Sequence, residues 1–324
     1  MHPATTAYPR PEISAFLEEA SEREKGMIAQ KVLPVVEEPT RTGEYPRIRR
    51  GKGELMKINS TKRAMDGSYN EGIRAIEWDS FACQEYGWEE RVDDARAKET
   101  KKYFDMEVLA AKLNKHTLLL DYEKRVADRF NALTGDGATA TNAKVAYTES
   151  NLATIDFPYD ITQAQERLVK KGVVANSVIM TLTMFNLLRR SSKLQGFLFS
   201  ELGQGVYKLI KPKDLTDPFD IPNIIIASGA YDSAPKDTAG TFTGTFIWSN
   251  SKIWLADIQS GDFSNGGLGR TIIWGTDCPG GLFTTESYRD EKRRGQMIRT
   301  RTHTAEKFVD VGAVEIITTG WVAS

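Results

Sequence analysis

The feature that most constrains the fold is the segment from Trp88 to Thr134, which contains neither glycine nor proline. Within it, apolar side chains recur at spacings of three, four and seven residues, as they do on one face of a helix. The recurring positions are Phe104, Val108, Ala111, Leu118, Tyr122, Val126 and Phe130. This pattern predicts a core-covering helix over about 98–131, roughly 50 Å long at ~1.5 Å per residue. Because the heptad pattern slips at Lys115, a coiled coil is disfavoured.

Charge is segregated along the stretch from Glu44 to Asp94, which supplies little apolar surface for a core. Its first half is basic, with Arg47, Arg49, Arg50, Lys52, Lys57, Lys62 and Arg63. Its end is acidic, with Glu77, Asp79, Glu85, Glu89, Glu90, Asp93 and Asp94. Two strand-like runs flank a turn signal at Asp66-Gly67, and an isolated two-stranded hairpin is only marginally stable in water. We therefore predict a hairpin that packs on a partner surface, with a flexible loop as the alternative.

The segment before this stretch has the character of an arm. A short amphipathic helix is predicted from about Pro11 to Gln30, where apolar side chains form one stripe. The following segment is predicted to be extended, and Pro34, Pro39 and Pro46 exclude it from the centre of a sheet. We expect this arm to fold against another surface and not by itself.

Downstream of the long helix, a connection rich in glycine, threonine and asparagine leads into alternating helix-like and strand-like patterns. One helix is predicted to end at Gly172, and a short β-branched strand is predicted to enter a helix within 176–194. A hairpin is predicted to turn at 249–251. From Arg270 onward, four segments have the pattern of antiparallel strands. Together these patterns predict an α+β fold.

Composition excludes several classes of protein. The chain carries 43 Lys and Arg against 44 Asp and Glu, which argues against a protein whose main task is to coat nucleic acid. Cys83 and Cys278 are far apart and lack a CxxC pattern, so we expect neither a zinc site nor a disulfide framework. We therefore expect the protein to work in a reducing compartment. No apolar run approaches the ~20 residues that span a bilayer. The expectation is a soluble, intracellular protein without a membrane partner.

No motif with a catalytic or cofactor-binding mechanism is apparent. The Gly-rich stretches at 51–53 and 265–271 lack the spacing and the following helix of a phosphate-binding loop. The histidines are His2, His116 and His303. A Cys278–His303 nucleophile–base pair has no third group to orient it in the sequence. We expect no catalytic residues, no cofactor and no metal.

Five segments, in this order along the chain, carry a resemblance to a known family. They are AQKVLPVVEEPTRTGEYPRI, CQEYGWEERVDD, DMEVLAAKLNKHTLLLDYEKRVADRF, DITQAQERLVKKGVVANSVIMTLTMFNLLRRSSKLQ and ESYRDEKRRGQMIRTRTHTAEKFVDVGAVEII. They are similar to the arm, the return strand of the extended loop, the spine helix, the start of the axial domain and the C-terminal strands of tailed-bacteriophage major capsid proteins. The resemblance covers nearly the whole chain.

The resemblance implies a Hong Kong 97-like α+β fold with a definite division of the chain. An N-terminal arm would occupy 1–44 and an extended β-hairpin loop 45–95. A peripheral domain with an antiparallel sheet would occupy 96–159 and 270–324, with the spine helix at about 98–131. An α+β axial domain would occupy 160–269, and the last strand could join its sheet.

The resemblance also implies a function and partners. The chain would be the major capsid protein of an icosahedral phage head, located in the virion and made in the host cytoplasm. It would assemble into hexamers and pentamers around double-stranded DNA without reading its sequence. The implied partners are further copies of itself, a separate scaffolding protein, the portal and decoration proteins. We expect no covalent cross-link, because no matching asparagine and glutamate can be assigned to the loop lysines.

The implied intersubunit contacts lie in the extended loop. They are Arg47, Arg49, Arg50, Lys52, Lys57, Lys62, Arg63, Glu89, Glu90, Asp93 and Asp94. Three alternatives remain at this point. They are an encapsulin-like nanocompartment shell that packages protein cargo, a nucleic-acid-binding module that uses the basic hairpin, and a hydrolase without a supporting motif.

Overall fold

The computed structural model of the protein describes residues 8–9, 24, 26–47, 58, 61–63, 65, 67–69, 77–100, 105–134, 138–199, 209–234, 243–279 and 281–321. Its helices are α1 (Ala29–Val32), α2 (Asp94–Thr100), α3 (Met106–Asn131), α4 (Phe157–Lys170), α5 (Leu182–Leu188), α6 (Ser192–Leu198) and α7 (Thr216–Phe219). Its strands are β1 (Tyr8–Pro9), β2 (Val35–Glu38), β3 (Thr42–Arg47), β4 (Glu77–Ala82), β5 (Gln84–Asp93), β6 (Thr139–Asn142), β7 (Ser177–Thr181), β8 (Asn223–Ala227), β9 (Ala230–Asp232), β10 (Gly244–Phe246), β11 (Lys252–Ala256), β12 (Gly269–Trp274), β13 (Thr284–Asp290), β14 (Gly295–Phe308) and β15 (Val314–Thr318). Single 3-10 turns lie at Glu149–Asn151, Pro212–Leu215, Phe263–Asn265 and Val311–Ala313.

A six-stranded sheet is built around the long strand β14. On one edge β14 pairs antiparallel with β13 and then with β12, and on the other edge it pairs antiparallel with β5. The sheet is extended by β1 beside β13 and by β2, a parallel edge strand beside β12. The edge position of β2 agrees with the prolines on either side of it, which exclude a central strand. The antiparallel strands predicted after Arg270 are confirmed as β12, β13 and β14.

A second, five-stranded sheet has the order β6-β15-β11-β7-β8. Its central strand β11 is antiparallel to both neighbours, while β6 and β8 lie parallel to β15 and β7. The last strand, β15, therefore leaves the six-stranded sheet and joins this one. The predicted strand-to-helix segment is also confirmed, because β7 runs directly into α5. The hydroxyl of Thr181 accepts the N–H of Met184 at 3.3 Å and so caps that helix.

The long helix begins later than the sequence pattern predicts. Within the described residues it is α3, of 26 residues, and α2 precedes it as a separate helix. Asp105 explains the start, because its side chain accepts the N–H groups of Glu107 at 2.9 Å and Val108 at 3.4 Å. An aspartate that caps in this way sets the first turn of a helix. Residues 101–104 of the predicted helix lie outside the described residues.

The apolar stripe of α3 packs into the core that joins the two sheets. Phe130 lies in ring contact with Trp248, Trp254 and Phe308, at centroid distances of 5.4, 6.1 and 5.5 Å. Nearer the start of the helix, the side-chain amide of Asn114 donates to the carbonyl of Ile298 at 2.9 Å. The helix is thus fastened to β14 at one end and to the aromatic core at the other.

The arm is attached to α3 through one buried carboxylate. Glu123 is fully buried and accepts the backbone N–H groups of Ile28 and Ala29, at 2.8 to 3.0 Å. It also accepts the indole N–H of Trp248 at 2.6 Å. Burial raises the pKa of Glu123, although the donated hydrogen bonds act to lower it. Of the helix predicted from about Pro11 to Gln30, residues 11–23 and 25 lie outside the described residues, and α1 begins only at Ala29.

The hairpin predicted to turn at 249–251 is wrong. The chain does turn there, but β10 pairs with β9 while β11 pairs with β7 and β15, so the two strands belong to different sheets. Trp248 explains the separation. Its side chain is almost fully buried between Glu123 and Phe130, which draws the chain into the core between the two strands. Among the described residues, no helix is long and apolar enough to cross a bilayer.

Candidate intersubunit surface

The base of the predicted hairpin is a two-stranded sheet formed by β3 and β4. Its register runs from Thr42 opposite Ala82 to Arg47 opposite Glu77. Such a ribbon is marginally stable alone, and two buried rings attach it to the larger sheet. Tyr45 and Phe81 pack in one apolar cluster with Ile272, Ala305 and Val309. The base therefore has its own anchor within the chain, whatever the rest of the hairpin contacts.

Tyr45 is the centre of that anchor. Its hydroxyl lies 3.2 Å from Oδ2 of Asp79 and 3.3 Å from the carbonyl of Phe308, and its ring stacks on Phe263 at 5.6 Å. Burial and the neighbouring carboxylate of Asp79 raise the pKa of the Tyr45 hydroxyl. Burial alone would raise the pKa of Asp79, but hydrogen bonds from the Ser80 N–H and from Tyr45 lower it.

The predicted basic contact residues are described only in part. Arg49, Arg50, Lys52 and Lys57 lie outside the described residues. Arg47 lies at the base of the hairpin, with Nη1 3.2 Å from Oδ2 of Asp79. Lys62 and Arg63 are exposed, and the guanidinium of Arg63 lies 4.6 Å from the ring centroid of Tyr69. Arg63 Nε also donates to the carbonyl of Gly67 at 2.6 Å.

The distal part of the hairpin also exposes apolar groups. Ile58 and Met65 are essentially fully exposed, and Tyr69 is 75% exposed. At the base, Trp78 on β4 is 62% exposed. Exposed apolar side chains mark an interaction surface where they form one contiguous patch. Ile58 and Trp78 belong to the two strand-like runs predicted from the sequence, whereas Met65 and Tyr69 lie in the segment between those runs and were not singled out.

The predicted acidic contact residues lie in and just after β5, the strand that resembled the return strand of the loop. In the structure, β5 pairs with β14 over its whole length, from Gln84 opposite Thr304 to Asp93 opposite Gly295. The strand that closes the hairpin is β4, and Cys83 separates it from β5. The acidic segment is therefore part of the six-stranded sheet of its own chain.

Three of these acidic side chains have partners in the same chain. Glu89 accepts the hydroxyl of Tyr288 at 3.2 Å. Asp93 accepts the N–H groups of Ala95 and Arg96, and so caps α2. Asp94 forms a two-pronged pair with Arg289, each N–O distance being 2.6 Å. This hydrogen bonding lowers the pKa of Asp94.

Glu90 is half-buried and lies on the same face of β5 as Trp88, which is 52% exposed. That face turns toward α3, where Leu109 and Leu113 are 37% and 45% exposed. Sequence reasoning did not single out Trp88, Leu109 or Leu113. The two leucines are four residues apart in α3 and so share one face of the helix. Their spacing was a signal that they form an apolar strip beside the buried stripe.

The Cys278–His303 pair corrects one sequence inference. A third group does adjoin it, because Oδ2 of Asp277 lies 2.7 Å from Nδ1 of His303. Cys278 is nevertheless buried, and burial raises the pKa of its thiol. A buried thiol with a raised pKa is a poor nucleophile. The arrangement therefore does not support cysteine catalysis.

Comparison with solved structures shows the same fold over almost the whole chain. A phage-related protein from Bordetella bronchiseptica is 15% identical, with a TM-score of 0.67 over 97% of this chain and 98% of that one. The putative capsid protein of an Escherichia coli CFT073 prophage is 12% identical, with a TM-score of 0.55 over 97% and 99%. A virus-like particle from Pyrococcus furiosus is 12% identical, with a TM-score of 0.56 over 95% and 98%. No protein-family model and no curated protein matches the chain. The chain has the fold of phage capsid proteins.

Proposed function

We propose that this chain is a major capsid protein, which self-assembles into hexamers and pentamers of an icosahedral phage head around double-stranded DNA. One observation carries the proposal. The fold matches that of a prophage's putative capsid protein over 97% of this chain and 99% of that one. A shared fold alone admits other functions, so the surface must support the assignment as well.

The surface supports it through the hairpin. Its base is fastened to the subunit by Tyr45 and Phe81, while Ile58, Met65 and Tyr69 are left exposed further out. Exposed apolar side chains on a protrusion are costly in a monomer and are buried when a neighbour covers them. We propose that a neighbouring subunit supplies that cover, and that the extended-loop contacts are made there.

We infer the partners of the basic loop residues from the carboxylates that are already engaged. Asp93 caps α2 and Asp94 pairs with Arg289 in their own chain. We propose that Arg49 and Arg50 contact Glu89 and Glu90 of a neighbouring subunit, because Glu89 is exposed and accepts one neutral hydroxyl in its own chain. Lys52, Lys57, Lys62 and Arg63 complete the proposed loop contacts, and Arg47 orders the base through Asp79.

The division of the chain is proposed on the same basis. The six-stranded sheet with α3 forms the peripheral domain, and the five-stranded sheet with α4 and α5 forms the axial domain. In this assignment β15 belongs to the axial sheet. Scaffolding, portal and decoration proteins are the proposed partners in the virion, and the shell itself carries no catalytic activity.

A shell that packages protein cargo is the second candidate. The TM-scores with the Pyrococcus furiosus virus-like particle and with the prophage protein are nearly the same, at 0.56 and 0.55. The fold therefore does not separate a DNA-filled head from another closed shell. The content of purified particles does.

The test is to express the chain alone and together with a candidate scaffolding protein and to sediment the purified protein. The proposal expects rings or closed shells, and particles recovered from an infected or induced host should contain nuclease-protected DNA. Shells that contain a defined protein and no nucleic acid would favour the second candidate. A protein that stays monomeric under every one of these conditions would contradict both.

A further inference from the structure

Three side chains with different donor atoms meet at one end of the six-stranded sheet. Asp277 and Cys278 lie in the loop after β12, and His303 lies on β14. Their carboxylate oxygen, thiol sulfur and imidazole nitrogen all lie within 4.8 Å of one another. The sequence predicted no zinc site, because the two cysteines are distant and have no ligand spacing. The antiparallel pairing of β12 with β14 brings residues far apart in sequence to one point instead.

The imidazole of His303 is buried and both of its nitrogens face carboxylates. Nδ1 lies 2.7 Å from Oδ2 of Asp277, but the contact is not aligned as a hydrogen bond, and Nδ1 has no hydrogen-bond partner among the described residues. Nε2 lies 3.5 Å from Oε2 of Glu85 on β5. A histidine that binds a metal through one nitrogen commonly donates its other N–H to a carboxylate. With Glu85 in that outer position, Nδ1 would be the nitrogen whose lone pair is available to a metal.

The sulfur of Cys278 is the second donor. Cys278 is buried and directly follows Asp277 in the loop after β12, so the two side chains reach the same point from neighbouring positions. The thiolate is the form of cysteine that binds metals.

One cation already adjoins this group. Arg301 contacts Oδ2 of Asp277, and its Nε and Nη2 also donate to Oε1 of Glu286, at 2.9 and 2.7 Å. Because Glu286 takes two donors of the guanidinium, Arg301 keeps a carboxylate partner when Asp277 turns toward another cation. Gly87 lies opposite Arg301 on β5, where a glycine leaves space beside its stem.

We propose that Asp277, Cys278 and His303 form a binding site for a divalent zinc ion. The mixed sulfur, nitrogen and oxygen donor set is one that zinc accepts. Ligand atoms of tetrahedral zinc lie roughly 3.3–3.6 Å apart, given zinc–ligand distances of about 2.0–2.3 Å. Side-chain shifts of about an ångström therefore bring these donors onto one ion, and water fills the fourth position.

Charge balance favours the same ion. Binding releases the Cys278 thiol proton to solvent, so one thiolate and one carboxylate neutralise the two charges of zinc while His303 binds as the neutral imidazole. Arg301 remains paired with Glu286, which also accepts Arg299. The site would fasten the loop after β12 to β14.

The test uses the full-length purified protein, stripped with a chelating resin, exposed to zinc and then desalted. We expect about one zinc per chain in the wild type, measured by elemental analysis. Cobalt in place of zinc should give a thiolate-to-cobalt charge-transfer absorption band. Cys278→Ser should abolish that band and lower the metal content at least tenfold, while Cys83→Ser, the matched change at the other buried cysteine, should leave both unchanged.

Glu85→Gln tests the outer position and should weaken zinc binding about 10–100-fold, the usual effect of losing such a carboxylate. A wild-type protein that retains no zinc after desalting would overturn the proposal, whether or not any variant folds. Equal metal content in the wild type and Cys278→Ser would also overturn it. If Cys278→Ser does not fold, Asp277→Asn replaces it, and retention of the full metal content by that variant counts against the site.

Discussion

The buried carboxylate of Glu123 gives a prediction whose size follows from the structure. It receives three N–H donors, from Ile28, Ala29 and Trp248, and in this way holds the start of α1 against α3 and the aromatic core. Glu123→Ala leaves all three donors buried without an acceptor, at a cost of roughly 1–3 kcal/mol each. The raised pKa of Glu123 shows that its own burial is costly, and losing that cost offsets part of the damage. We expect a net loss of about 2–5 kcal/mol in the free energy of unfolding.

The assay is denaturant unfolding of the free subunit, compared with hydrogen exchange at the backbone amides of Ile28 and Ala29. Glu123→Gln keeps one acceptor oxygen but turns its amide NH₂ toward one of the donors. Its loss of unfolding free energy should therefore lie between zero and that of Glu123→Ala. Glu166→Ala is the matched control on an exposed helix face, where removing the solvent-screened pair with Lys170 should barely change the free energy of unfolding. The reasoning is refuted if Glu123→Ala is no more destabilising than Glu166→Ala, or if exchange at Ile28 and Ala29 does not accelerate.

The remaining predictions concern the hairpin. Reversing charge with Arg49→Glu and Arg50→Glu should leave the melting temperature of the subunit nearly unchanged and strongly reduce particle yield; normal particle yield would establish that these are solvated surface charges. Trypsin should cut free subunits first between Arg47 and Arg74 and should spare the same sites in assembled particles, and equal cutting in both states would argue against an intersubunit role. The lowered pKa of Asp79 means that its contribution to the hairpin base is present above the ordinary value of 3.8 and is lost as pH falls through the folded pKa. Trp78 fluorescence should therefore report loosening at acid pH, and Asp79→Asn should remove that pH response.

Periodic patterns predicted the interiors of elements better than their ends. The apolar spacing placed Leu118, Tyr122, Val126 and Phe130 on the buried face of the long helix, as found. The helix starts at Met106 because Asp105 caps it. A single aspartate inside a run free of glycine and proline was a weaker signal for a helix start than the surrounding periodicity was for a continuous helix. The fold class followed from the order of such elements.

Local sequence patterns could not predict which strands pair, because the strands that pair are far apart in the sequence. The segment CQEYGWEERVDD was interpreted as the return strand of the loop from a resemblance that did not reveal its partner β14, so its acidic side chains were assigned to the hairpin. Trp248 was counted in a hairpin because nothing nearby indicated Glu123 as its hydrogen-bond acceptor. The proximity of Asp277 to His303 has the same origin, since β12 and β14 become neighbours only in the folded sheet.

The central claim is that this chain is the subunit of a closed shell. Electron microscopy of the purified protein, expressed with its scaffolding partner where one is required, tests that claim directly. The account predicts uniform particles built of hexamers and pentamers, with density for the hairpin lying across a neighbouring subunit. Particles whose hairpin density folds back on its own subunit, or fields of single subunits without rings or shells, would contradict it.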